Sequence, residues 1–182
     1  LSDALQTGIE VFHALGEIGC MYQLDPISPF TAARENSLVP DSVSLPRDTL
    51  KRITGDCDDL TVLYCSIMET VGMETAFITI PGHIYAAFNT GTSSRDFDQI
   101  HPEREMTIAL DGYIWVPVEI TMIGTATFRE AWRTGMENWN RYANSPEDRK
   151  FIKTRIAQET YRPVGLREKD MRLQYGEASN IR

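Results

Sequence analysis

A thiol, an imidazole and a carboxylate can serve as a nucleophile, its base and the group that orients the base. Cys57, His83 and Glu119 supply these three in chain order. Cys57 sits in Gly55-Asp56-Cys57-Asp58-Asp59, directly before Leu60, Leu63, Tyr64, Ile67 and Val71, which recur at intervals of three and four. That places it at the start of a helix ending near Gly72. At a helix start, unpaired N–H groups and the macrodipole favour a thiolate and offer donors to an oxyanion. The flanking Asp56, Asp58 and Asp59 oppose the thiolate, so a cationic partner is needed.

His83 is the candidate for that partner. It opens a β-prone run, His83 to Phe88, immediately after the Pro81-Gly82 turn that ends a first run from Ala76 to Ile80. Glu119 lies at the end of a third run. Met106 to Leu110 and Tyr113 to Ile120 flank Asp111-Gly112, a dipeptide that favours the tight turn of a hairpin. Alternation sets Ile114, Val116, Val118 and Ile120 on one face and Tyr113, Trp115, Pro117 and Glu119 on the other. From there Glu119 can reach a histidine on a neighbouring strand and stabilise its imidazolium.

Each of the three also has an ordinary structural use. A cysteine at a helix start can be a small buried hydrophobe, a histidine can satisfy a turn, and a strand glutamate can be solvated. Cys65, two turns beyond Cys57, and Cys20, at the end of the first helix, read as core filling. His13, near the apolar stripe of that helix, reads as structural or exposed, while His101, in a polar loop, is the rival base. Trp132 and Trp139 read as packing.

Around these residues the chain supplies helices and antiparallel strands. Leu5, Ile9, Phe12 and Leu15 form one face of a helix over the first eighteen or so residues, closed by Gly16 and Gly19. Asp25 to Pro46 holds four prolines without period and reads as a long loop. Thr127 with Glu130 forms a capping box for a helix bearing Phe128, Trp132, Met136 and Trp139, and Ser145-Pro146-Glu147-Asp148 reads as the start of another. The polar segment from about Arg162 has no clear period. The order is that of an α+β protein, not a doubly wound one.

Composition narrows the partners. The net charge of −8, with basic residues interleaved among acids, disfavours a nucleic-acid surface. No apolar run approaches the length of a membrane span. Three cysteines, without metal-ligand spacing, argue against a disulfide framework and a zinc site, and the acidic triplet lacks the pattern of a calcium loop. No cofactor and no metal is expected. The 182 residues suit one domain, with a core over about 49–121, a helix and loop over 1–48, and helices and a tail over 122–182. The chain opens at Leu1, as an excised domain or processed product would, and its residues assign no compartment.

With these residues in hand, Gly55-Asp56-Cys57-Asp58-Asp59-Leu60 through Val71-Gly72-Met73 resembles the nucleophile helix of the bacterial transglutaminase-like superfamily. Pro81-Gly82-His83-Ile84-Tyr85-Ala86-Ala87-Phe88 is similar to its histidine strand, and Trp115-Val116-Pro117-Val118-Glu119 to its acid strand. The resemblance covers roughly Thr49 to Thr121. It implies a papain-like fold, a nucleophile helix packed on an antiparallel sheet, with Cys57, His83 and Glu119 as a triad acting on peptide or protein amides through a thioester. Transferase and protease or amidase outcomes share that thioester, and the superfamily also includes silent binding or scaffold domains. Two departures stand out: Glu119 replaces the more usual Asp, and Ile84-Tyr85 follows the histidine where Ala-Trp is common. The longer acid requires a small backbone shift.

Overall fold

The computed structural model describes residues 2–24 and 43–162. Helix α1 (Asp3–Glu17) is capped by the Ser2 side chain, which accepts from the Leu5 N–H, and it buries Leu5, Phe12 and Leu15. The helix runs through Gly16, and Gly19, at φ +87°, follows its end. A short strand β1 (Met21–Tyr22) pairs in parallel with β2 (Thr54–Gly55), which follows helix α2 (Pro46–Arg52). Helix α3 (Cys57–Thr70) begins immediately after β2 and ends before Gly72, at φ +82°, as the apolar period predicts. Of the long loop expected between Asp25 and Pro46, residues 25–42 lie outside the described residues, as does the tail beyond Arg162.

The main sheet is antiparallel, in the order β5-β6-β4-β3-β7, formed by β3 (Thr75–Ile80), β4 (His83–Ser93), β5 (Ile108–Leu110), β6 (Tyr113–Val118) and β7 (Lys150–Lys153). Asp111 and Gly112, at φ +52° and +82°, make the predicted tight turn between β5 and β6. The sheet is covered on both faces. Phe88 and Val116, paired across β4 and β6, face α1, where a Cβ on Gly8 would stand 2.5 Å from the Phe88 ring. Ala87 and Pro117, the next pair, face helix α4 (Phe128–Arg141), whose Gly135 lies against the Pro117 backbone. Helix α5 (Thr154–Thr160) follows β7 directly. The arrangement is α+β, and no helix among the described residues is long and apolar enough to cross a membrane.

Two local expectations change. Strand β6 ends at Val118, not Ile120, because Ile120–Met122 turn into a single 3-10 turn with Glu119 as its cap. The face of β6 that carries Trp115 and Pro117 is buried beneath α4. Ser145-Pro146-Glu147-Asp148 does not start a helix. It closes as a turn, with the Asp148 N–H donating to the Ser145 carbonyl, and the chain then enters edge strand β7. Its Phe151 packs edge-on against Trp115 and Trp139, so burial of an aromatic on the sheet overrides the local helix signal.

Candidate active site

The start of α3 is built to hold Cys57 in place. Asp56 caps the helix, its carboxylate accepting from the Asp59 N–H at 3.2 Å. Asp59 is nearly buried and accepts from the Ser44 N–H at 2.7 Å and from Arg52 at 3.2 Å, so Arg52 offsets its charge before it bears on the cysteine. Gly55 permits this: a Cβ there would stand 2.6 Å from the Asp59 Cβ. As the first helical residue, Cys57 has no intrahelical acceptor for its own N–H. The buried Thr61 hydroxyl, one turn on, lies 2.5 Å from the Cys57 carbonyl and 3.4 Å from the Ile84 carbonyl on β4. One side chain thus ties the cysteine's turn to the strand that carries the histidine.

His83 is the first residue of β4, paired with Ile80 across the turn at Gly82, whose φ is +76°. Its ring stacks on Tyr85, with centroids 5.7 Å apart and planes 22° from parallel. Its Nε2 meets the Glu119 carboxylate at 2.8 Å. The Cys57 side chain stands near enough to the same ring to favour its charged form. The imidazole is bonded to the carboxylate and also lies near the thiol.

No family model, no curated protein and no solved structure matches this chain. What the site can do therefore follows from its own chemistry. Burial of the imidazole works against its charged form, but hydrogen bonds to Cys57 and Glu119, and the negative charge of both, outweigh it. The pKa rises from an ordinary 6.5 to about 9. Near neutral pH the ring keeps its proton and can serve as the counterion of a thiolate and as a proton donor.

Glu119 is not the solvated carboxylate that its type alone suggests. It is 4% exposed, and besides His83 it accepts from the Thr121 hydroxyl at 2.7 Å and from the Asn138 amide at 3.1 Å. Its N–H donates to the Ala131 carbonyl of α4 at 3.0 Å. Glu119 stands just past the end of β6, where the chain leaves the ladder at Val118. Asn138 and Thr121 are the site residues that sequence reasoning missed. Asn138 falls seven residues after Ala131, on the same helix face, which is the one available signal, but a lone Asn in a helix usually faces water.

The other candidates fall elsewhere. His101 sits in a turn, its Nδ1 accepting from the Glu103 N–H at 3.1 Å and its ring edge-on to Trp132. His13 is exposed on α1. Cys20 and Cys65 are buried, whereas Cys57 is partly exposed. Trp132 is buried in the core with Phe128 and Met136, and Trp139 packs at its edge. Among the described residues no three His, Cys, Asp or Glu side chains gather as a metal site.

Proposed function

We propose that this chain is a cysteine-dependent acyl-transfer enzyme of the transglutaminase-like kind, with a papain-like core and a Cys57, His83, Glu119 triad acting on peptide or protein amides. The observation that carries this reading is the 2.8 Å bond from Glu119 to a His83 ring whose charged form is also favoured by nearby Cys57 at the start of α3. A nucleophile helix packed on an antiparallel sheet, with the base opening one strand and the acid just past the end of its neighbour, also supports it.

In the first half-reaction the Cys57 sulfur attacks the amide carbon, and the carbonyl π pair moves to oxygen. That oxyanion meets the Cys57 N–H at the helix start. The C–N bond then breaks, and the His83 proton goes to the departing amine. In the second half-reaction water or a second amine attacks the thioester. His83 takes its proton, and the C–S bond breaks to release an acid or a new amide. Glu119 holds the ring in orientation and stabilises its charged form throughout. Hydrolysis and transfer differ only in which nucleophile reaches the thioester.

p-Nitrophenyl acetate provides a direct test. A burst of p-nitrophenolate equal to the enzyme concentration is expected, with one acetyl group located on Cys57 by peptide mass spectrometry and lost in Cys57→Ala. Addition of a primary amine then separates transfer from hydrolysis by the product formed. A burst that persists in Cys57→Ala, or no acylation at Cys57, would overturn the reading and leave a silent scaffold or peptide-binding domain.

A further inference from the structure

We infer, building on the acyl-transfer reading, that Tyr22 is a further catalytic residue, whose phenol hydroxyl donates a hydrogen bond to the oxyanion formed as Cys57 attacks. Three features of the fold put it there. Strand β1 is clamped between the segments that lead to and from the triad. On one side, the Met21 and Gln23 N–H groups donate to the Ile53 and Gly55 carbonyls at 3.1 and 2.9 Å, and that ribbon runs straight into Cys57. On the other, the Cys20 carbonyl presses on Gly124, where a Cβ would stand 2.9 Å away, just past the turn that Glu119 caps. Tyr22 thus lies between two of the three candidate residues.

Register then sets the direction of its side chain. Tyr22 pairs with Gly55, so the two residues present their side-chain positions on the same side of the ribbon. A Cβ on Gly55 would point at Asp59 and Thr49, toward the start of α3, and because Gly55 has none, the Tyr22 ring meets no β2 side chain on that side. Gln23, whose amide is the other obvious donor, leaves on the opposite side, where its carbonyl oxygen meets the Thr54 hydroxyl at 3.0 Å. Tyr22 is 37% exposed, enough for a substrate to reach it.

The surroundings suit a neutral donor. Partial burial, followed by the negative charges of Cys57, Asp56, Glu119 and Asp58, raises the phenol above its usual pKa, so the hydroxyl keeps its proton while the oxyanion forms. The Cys57 N–H supplies one donor for that oxygen, and the phenol supplies a second from a different element.

The test uses N-acetylglycinal, a minimal peptide aldehyde whose carbon the sulfur attacks to form a hemithioacetal. Its oxygen carries the developing negative charge until it takes a proton. For Tyr22→Phe in the full chain, aldehyde affinity should fall about 10-fold or more and the p-nitrophenyl acetate burst rate about 10²-fold. Alkylation of Cys57 by iodoacetamide, a displacement that forms no oxyanion, should stay within about twofold, and this also verifies the fold. Unchanged aldehyde affinity and burst rate would overturn the assignment. So would a parallel fall in alkylation, which would make Tyr22 only a support for the thiol. If the unsubstituted chain neither binds the aldehyde nor acylates, the acyl-transfer reading itself has failed, a pattern distinct from failure of the tyrosine alone.

Discussion

Cys57 and Cys65 stand on one helix, eight residues and about 12 Å apart, and have opposite surroundings. Cys57 is partly exposed at the first turn, with an imidazole in reach and a backbone N–H that the helix cannot use. Cys65 is 1% exposed, and its sulfur meets the Ala76 carbonyl of β3, at 3.9 Å. Burial, only partly relieved by hydrogen bonding from Thr75 and Thr154, pushes the Cys65 thiol up to about 12. The residue type is the same, so the difference lies in position: two turns into a helix, the dipole's end is gone and the sheet has taken its place.

The contrast should be widest in chemistry with a small electrophile. At pH 7.5 a thiol with a pKa near 12 is ionised in only about one molecule in 10⁴ to 10⁵. Iodoacetamide should therefore modify Cys57 at least about 10²-fold faster than Cys65 in the folded chain, and His83→Ala should narrow that gap by removing the counterion. Equal modification rates for the two thiols, followed by peptide mapping, would erase the comparison.

Replacing the acid sharpens the same comparison without touching either cysteine. Glu119→Gln keeps the size of the side chain but removes the charge that favours imidazolium, so acylation should slow by about 10³-fold. The fold should survive, because the amide oxygen can still accept from Asn138 while the amide NH2 donates to the Thr121 hydroxyl oxygen. Unfolding curves and the p-nitrophenolate burst, measured together, check this. A burst rate equal to that of the parent would remove Glu119 from the mechanism.

The third effect is on stability. His83 has a folded pKa of about 9 against an ordinary 6.5. Because the folded value is the higher one, its contribution is complete below about pH 6.5 and is lost as pH rises through about 9. The difference corresponds to about 3 kcal/mol at most. Urea unfolding at pH 6 and pH 9.5 should show that loss in the parent, and His83→Gln should reduce it. The buried Cys65 stays neutral in the folded chain while an unfolded thiol ionises above about pH 8.5, so it adds a loss of the same sign at the alkaline end.

The same contrast explains which parts of the molecule were legible in the sequence. The bounds of α3, the Asp111-Gly112 turn and the Thr127 capping box are local, since each is specified by residues within a few positions of one another. Cys57, His83 and Glu119 stand out as candidates by chemical type and by their place at element ends. Strand β7 was not legible, because its pairing with β3 and the ion pairs of Lys153 with Glu74 and Asp111 join distant segments, while its lead-in looks like a helix start. Asn138 and Thr121 were hidden for a related reason: what gives them a role is the carboxylate they meet, and a polar residue in a helix or turn carries no mark of its partner. Tyr22 depends on a two-residue parallel ribbon too short to leave a pattern.

The smallest effect probes the tie between the two reacting elements. Thr61 is buried, and its hydroxyl lies between the carbonyls of Cys57 and Ile84, the residue that follows His83. Thr61→Val keeps the shape and removes the hydrogen-bonding proton. The Cys57 carbonyl still accepts from the helix itself, so the cost in stability should be only about 1 kcal/mol. The consequence for the site is more specific: with α3 released from β4 at this point, alkylation of Cys57 should fall severalfold while Cys65, anchored farther along, is unaffected. Thr61→Ser should restore both values, because the hydroxyl and not the methyl group makes the tie. A valine variant that destabilises the fold but leaves the reactivity of Cys57 intact would show that the helix start and the histidine strand hold their register without this contact.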